Sequence, residues 1–89
     1  MKHTPTLKGY LSSRITRDMV TAELGTPDFV DPDGYKITME WIVDLGEDMT
    51  MTVYDYKEDN QLHIGGNHPN VLLIAADFFG VENIIALNR

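Results

Sequence analysis

The chain has 89 residues, of which 43% are hydrophobic, and it carries a formal net charge of −7 at pH 7. This length and composition predict one small domain over residues 1–89 and exclude a disordered tail, and the absence of cysteine excludes disulfide bonds and thiolate zinc sites. The acidic charge argues against direct nucleic-acid binding, the longest apolar run is too short to cross a membrane, and the polar amino terminus predicts a cytoplasmic location.

The amino-terminal third contains one strong helix signal. Residues 4–13 fit either a short strand or an ordered arm. Thr16 is a favourable N-cap for a helix over Arg17–Leu24, because its hydroxyl can accept a hydrogen bond from a first-turn amide. Gly25 is predicted to end this helix with a left-handed cap, and Pro27 prevents its continuation.

Three strands are predicted after a DPDG turn at residues 31–34. The first strand alternates apolar and polar positions over residues 35–45, with Trp41 on its apolar face. The second strand alternates in the same way over residues 49–56. A third, shorter strand surrounds His63. These segments predict an antiparallel meander.

A second helix is predicted over residues 69–79, with Asn67 as N-cap and Gly80 as its end, followed by a short closing strand over residues 81–87. This helix is apolar on nearly every side, which indicates burial on several sides. An 89-residue monomer has little protein to surround it, so we expect a homo-oligomer, with burial under the first helix and the chain ends as the alternative. The predicted fold class is α+β: an antiparallel β-meander of three or more strands packed against two short helices.

The candidate binding residues lie mainly on the polar face of the meander. The connection Gly46-Glu47-Asp48 sets Glu40 opposite Tyr54, and the next link sets His63 opposite Tyr54 or Tyr56. Gly65-Gly66 is predicted to precede a helix start, where unpaired amides and the helix dipole favour an anion. Such a surface suits a ligand with a flat ring and a phosphate, with Trp41 shaping it and Lys57 or Arg14 supplying charge. The predicted ligand-binding residues are Tyr54, Tyr56, Lys57, His63, Gly65, Gly66 and Asn67.

Catalysis has little support in the sequence. No serine nucleophile lies in a recognisable setting, and the three histidines His3, His63 and His68 lack the spacing of a metal site. We therefore predict no catalytic residue, no metal and no cofactor. Asp55 should project towards the core, where its carboxylate needs a partner such as a turn amide or Lys36.

The pattern GTPDFVDPDGYKITMEWIVDL, followed by TVYDYK and HIGGN, resembles a group of small phage-encoded accessory proteins. The resemblance covers roughly residues 24–67, and its most specific parts are Glu40-Trp41, residues 54–57 and residues 63–66. The chain differs from that pattern at Leu62, where an aromatic residue is common, and in the short link between the last two motifs. The resemblance implies a phage origin and a counter-defence role. Some such proteins, of the Thoeris anti-defence kind, oligomerise and hold a cyclic nucleotide or cyclic ADP-ribose signal without cleaving it.

The leading hypothesis is a phage accessory protein that sequesters a small nucleotide-derived immune signal, such as a cyclic ADP-ribose or a cyclic oligonucleotide, in the host cytoplasm. The alternative is an acidic protein–protein inhibitor of a host defence enzyme or nuclease that imitates nucleic acid. A third reading is an interaction module without a ligand. The acidic residues of the connections, which include Asp28, Glu47-Asp48 and Glu58-Asp59, fit either solvated loops or such a mimic.

Overall fold

The protein is described by a computed structural model over residues 6–30, 39–55 and 61–86. These residues form six strands and two helices, which confirms the predicted α+β class. The strands are β1 Thr6–Leu11, β2 Phe29–Val30, β3 Met39–Gly46, β4 Met49–Tyr54, β5 His63–Gly66 and β6 Ile84–Ala86. The helices are α1 Arg17–Leu24 and α2 Val71–Phe79, and a 3₁₀ helix, Val81–Asn83, joins α2 to β6.

One antiparallel sheet contains all six strands in the order β2-β3-β4-β5-β1-β6. The β3-β4-β5 meander is present as predicted, and β1 extends it beyond β5. The ambiguous segment at residues 4–13 therefore contains a strand over Thr6–Leu11. The closing strand is shorter than predicted and pairs with β1. The predicted turn at residues 31–34 lies outside the described residues.

The predicted registers are present in the sheet. Glu40 and Trp41 lie opposite Tyr54 and Val53, and Tyr54 lies opposite His63. The predicted three-residue connection between β3 and β4 is wrong by one residue, because Gly46 still pairs with Met49 after a register irregularity. The turn therefore consists of Glu47 and Asp48 alone.

One face of the sheet, which we call the first face, carries the core. Trp41 is 1% exposed and its indole Nε1 donates to the Gly25 carbonyl at 2.8 Å. The end of α1 is thereby joined to the middle of β3, which explains why a polar indole nitrogen is tolerated inside. The other buried core side chains in helices and strands come from both helices and from β1, β4 and β5, and they are Leu11, Val20, Met51, Val53, Ile64, Val71, Ala75 and Phe79.

Helix α1 has the predicted boundaries. The Thr16 hydroxyl accepts from the Met19 amide at 3.2 Å. Gly25 ends the helix with φ 92° and ψ −167°. This is a positive φ that favours glycine, although its ψ is extended and not that of the left-handed helical cap predicted.

Helix α2 begins at Val71, two residues later than predicted, and ends at Phe79 with Gly80 as its C-cap, as predicted. The prediction of Asn67 as N-cap is wrong: Asn70 occupies that position and makes no side-chain cap bond. Val71, Ala75 and Phe79 are buried, whereas Leu73 is 69% exposed. The chain itself thus covers one stripe of α2, and a homo-oligomer that covers the rest remains a prediction. None of the described helices is long and apolar enough to span a bilayer.

Candidate functional site

The face of the sheet opposite the helices, which we call the second face, carries a row of side chains that crosses all six strands. Directly paired residues of neighbouring strands project to the same face, so the registers define this row. Its members are Phe29, Glu40, Tyr54, His63, Tyr10 and Ile85. The two ends of the row are exposed apolar side chains, and its centre is aromatic.

The centre of the row is a packed group of three rings. The centroid of the His63 ring lies 4.9 Å from that of Tyr10, with the planes at 89°, and 5.2 Å from that of Tyr54, with the planes at 57°. Edge-to-face contacts of this kind stabilise aromatic pairs. His63 is only 7% exposed, so the imidazole serves mainly as a support for the two partly buried tyrosines. Tyr56 and Lys57, the other predicted ring and charge, lie outside the described residues.

The two glycines of the predicted anion site lie inside the sheet. Gly65 and Gly66 belong to β5, with β4 on one side and β1 on the other. The helix that the two glycines were expected to lead into begins only at Val71, five residues after Gly66. Since both glycines lie in a central strand, their amides are not the unpaired amides of a helix terminus.

Packing explains why glycine occupies both positions. A Cβ atom on Gly66 would lie 2.6 Å from Val71 Cγ2 and 2.7 Å from the Thr50 carbonyl oxygen. A Cβ on Gly65 would lie 2.9 Å from Thr52 Oγ1 and 3.4 Å from Tyr54 Cε1, on the second face. Tyr54 and Thr52 thus close over the space that the missing side chain leaves, and the Thr52 hydroxyl is buried without a partner among the described residues.

Asn67, predicted to contact a phosphate, joins the end of β5 to the β3–β4 turn. Its Oδ1 accepts from the Thr50 amide at 2.9 Å, and its Nδ2 donates to the Asp48 carbonyl at 2.7 Å. The carboxamide therefore satisfies backbone groups on either side of the turn. This role accounts for an asparagine here without a ligand.

An open acidic cleft of about 530 Å³ lies beside this turn, at the outer edge of β3. Four carboxylates line it, together with Ile42, Gly46 and Thr50; they belong to Asp28, Asp44, Glu47 and Asp48. Two of these carboxylates accept hydrogen bonds from backbone amides. Asp28 accepts from the Ile42 amide at 2.7 Å, and Asp44 accepts from the Gly46 amide at 2.9 Å. Ile42 is 49% exposed, so the cleft also offers an apolar contact.

The turn places its two acids in an uncommon backbone conformation. Glu47 and Asp48 have φ values of 51° and 64°. A two-residue hairpin of this kind favours asparagine and glycine, which adopt positive φ with less steric cost. The chain therefore presents two carboxylates at a position where other residues would be more stable.

The negative potential of the cleft extends to Glu40, which lies two residues before Ile42 and on the same face of β3. Burial and, secondarily, the Asp28 carboxylate raise the pKa of Glu40 above its ordinary value of 4.5. Burial disfavours the charged form of the carboxyl itself, whereas the Asp28 carboxylate disfavours additional negative charge at this end of the second face. An anionic ligand is thus repelled by the β2–β3 edge, whereas a cationic group is attracted.

Arg17 and Asp55 form an ion pair on the other side of the sheet. The Asp55 carboxylate accepts from Arg17 Nη2 at 2.8 Å, from Arg17 Nε at 3.3 Å and from the Met39 amide at 3.1 Å. Asp55 is 3% exposed, as expected from its predicted direction. These contacts agree with the predicted structural role, but the amide that Asp55 accepts from belongs to the first residue of β3 and not to a turn. Arg17 is a partner that the sequence did not indicate, and the other predicted partner, Lys36, lies outside the described residues.

Several residues of the second face were not predicted to belong to the site. Tyr10 was missed because residues 4–13 were not assigned to a strand, and the alternation of Tyr10 with the buried Leu11 was the available signal. Asp28 was predicted only as part of the acidic connections, either solvated or imitating nucleic acid, and Asp44 only as a polar position of the strand. Their convergence depends on the β2–β3 pairing, which no local pattern specifies.

Among residues 6–30, 39–55 and 61–86, no group of three or more His, Asp or Glu side chains is arranged to hold a metal ion. Comparisons with protein-family models, with curated protein sequences and with solved structures find no match to this chain.

Proposed function

We propose that this chain is a non-catalytic binding protein that holds a basic site of a partner protein against its second face. The observation that carries the proposal is the acidic cleft, where four carboxylates surround an exposed isoleucine at the edge of the sheet. Opposite charges across an interface increase the rate of encounter and select the partner. The aliphatic side chain of Ile42 adds apolar surface that is buried away from water when the partner binds.

The charge of the whole chain favours the same kind of partner. The net charge is −7. Of the described basic side chains, Arg17 is engaged with Asp55, on the side of the sheet away from the cleft. A positively charged surface on a partner would therefore meet a field of one sign across the β2–β3 edge.

The resemblance to small phage-encoded accessory proteins suggests the class of partner. Enzymes that act on nucleic acid carry basic grooves, and a row of carboxylates can occupy such a groove in place of phosphates. We therefore propose a host defence enzyme or nuclease, met in the host cytoplasm, as the partner that this protein inhibits.

The second candidate is sequestration of a small nucleotide-derived signal, such as a cyclic ADP-ribose or a cyclic oligonucleotide. The packed rings of Tyr10, His63 and Tyr54 favour it, because a base can stack on a tyrosine. Its phosphate would need cationic groups such as Lys57, since the amides of Gly65 and Gly66 lie within the sheet. A ligand shared between subunits would agree with the predicted homo-oligomer.

The test compares two variants that lose the same number of charges. The cleft variant combines Asp44→Asn, Glu47→Gln and Asp48→Asn. The control variant combines Asp18→Asn, Glu23→Gln and Asp77→Asn, which lie exposed on the helices. Immobilised wild type and both variants are used to capture proteins from a bacterial lysate at low and at high salt.

We expect the wild type and the control variant to capture a nucleic-acid enzyme at low salt, and a DNA oligonucleotide to displace it. The cleft variant should fail, and high salt should release the partner because surface charges are then screened. Equal capture by the cleft and control variants would refute the proposal. Native mass spectrometry of the same samples tests the second candidate: a retained small molecule that Tyr54→Ala loses would support sequestration instead.

A further inference from the structure

Strand β3 has a stretch of outer edge that none of the described strands covers. It runs over eight residues, Met39–Gly46, but β2 pairs only with Met39 and Glu40. The chain leaves this edge at Asp28. The Asp28 carboxylate accepts a hydrogen bond from the Ile42 amide, in place of a backbone carbonyl, and the pairing of β2 with β3 ends there. In the sheet order β2 is the terminal strand, so the rest of β3 has β4 on its inner side and no described strand on its outer side.

The direction of the backbone groups along this stretch follows from two hydrogen bonds. The Glu40 carbonyl accepts from the Asp28 amide, and the Ile42 amide donates to the Asp28 carboxylate, so both point outward. Backbone groups of alternate residues in an antiparallel strand point to the same side. The Ile42 carbonyl and the amide and carbonyl of Asp44 therefore also face the open edge.

The acidic cleft lies directly along this edge. The side chains of Ile42 and Asp44 project to the second face beside it, and the Glu47-Asp48 turn closes its far end. Backbone groups that need partners and carboxylates that need cations thus occur within one short segment. Five residues of extended chain span about 17 Å, enough for a short added strand.

We propose that the partner's basic site is an extended segment that adds to the outer edge of β3 as a further strand, with lysine or arginine at alternate positions facing the cleft. This inference rests on the proposed function and specifies how the partner is held. Main-chain hydrogen bonds to Ile42 and Asp44 supply affinity, and the alternating charges supply selectivity. A second copy of the chain is a poor occupant, because edge-to-edge pairing would bring the same carboxylates together.

The probe is a capped octapeptide that alternates lysine and threonine, with binding measured by fluorescence anisotropy at low salt. Two derivatives carry N-methyl groups on the backbone, one at the lysines and the other at the threonines. Since only one set of amides can face β3, strand addition predicts that one derivative loses binding at least tenfold while the other binds like the parent. Charge attraction alone predicts equal binding by all three peptides.

The protein offers a matched pair of variants at Asp44. Asp44→Asn removes the charge and keeps the outward amide, and Asp44→Pro also removes that amide. Proline is tolerated where an edge amide has no partner in its own sheet. We expect Asn to weaken peptide binding several-fold and Pro to weaken it at least a further tenfold, with circular dichroism verifying that both variants keep the fold.

A second measurement does not depend on any variant. In the complex, hydrogen exchange at the Asp44 amide should slow, whereas exchange at the Val43 amide, which points towards β4, should not change. Equal binding by all peptides, or no protection at Asp44, would overturn strand addition while the lysate capture still decides the proposed function. Failure of the parent peptide to bind would also overturn strand addition.

Discussion

Replacement of Asp55 by alanine should destabilise the protein more than replacement of its ion-pair partner Arg17. Asp55 is 3% exposed and accepts from the Met39 amide at 3.1 Å as well as from the guanidinium. The alanine variant leaves that amide without its carboxylate acceptor at the point where β3 and β4 begin to pair. The Arg17 side chain is 53% exposed, so water can replace it at the carboxylate.

The magnitudes separate the two contributions. A hydrogen bond to a charged group contributes about 1.5–3 kcal/mol. An ion pair whose cation is half exposed contributes at most about 1 kcal/mol. Asp55→Ala should therefore lower the free energy of unfolding by about 2–4 kcal/mol, and Arg17→Gln by about 1 kcal/mol or less. The first value is a large part of the roughly 5–15 kcal/mol that stabilises a typical domain.

Urea unfolding followed by fluorescence of Trp41, the only tryptophan, measures both changes. Asp55→Asn is the matched control, since it keeps an acceptor for the Met39 amide and should lie between the wild type and the alanine variant. The double variant with Arg17→Gln gives the coupling energy of the pair. If Arg17→Gln costs as much as Asp55→Ala, the ion pair with Arg17, and not the hydrogen bond from the Met39 amide, dominates the contribution of Asp55 to stability.

Further predictions concern four other places in the sheet. Glu40→Gln should stabilise the protein at pH 7, because the folded state raises the pKa of Glu40 and so binds its proton more tightly than the unfolded state. The stability of the wild type should then fall as the pH rises through that raised pKa, and the difference from Glu40→Gln should vanish well below pH 4.5. Glu47→Asn with Asp48→Gly should raise the free energy of unfolding by about 0.5–2 kcal/mol, since both residues have positive φ, while partner capture falls; an unchanged urea midpoint would contradict the strain argument. Gly66→Ala should cost about 1–3 kcal/mol through the contacts with Val71 and the Thr50 carbonyl, and a neutral effect in the same assay would show that β5 can shift. Trp41→Ala should cost about 3–5 kcal/mol, which calorimetric melting can test, and a fully stable variant would contradict its place in the core.

Local patterns in the sequence determined the meander and the first helix. The period-two alternation around Trp41 and Val53 predicted which face is buried, because neighbouring side chains of a strand project to opposite faces. The N-cap of α1 at Thr16 and the helix ends at Gly25 and Gly80 could be predicted, because each depends on one residue and its own turn. The pairing of Tyr54 with His63 followed from short connections that leave few registers.

The candidate site could be predicted only in part. Of the predicted ligand-binding residues, Tyr54 and His63 do lie together on the second face, with Tyr10 as a third ring. Gly65 and Gly66 resembled a loop before a helix, because two adjacent glycines are a common turn signal. They lie instead in a central strand, β5, because this strand pairs with β1 on one side and with β4 on the other.

Tertiary structure alone decided the features that join distant parts of the chain. The insertion of β1 between β5 and β6 brings Tyr10 against His63, and the folding of α1 over the sheet brings Arg17 to Asp55. The early end of β2 leaves the edge of β3 open beside four carboxylates. Each depends on contacts between residues far apart in sequence, whose free energy comes from burying the shared core, whereas the local rules of strands, turns and caps act over only a few residues.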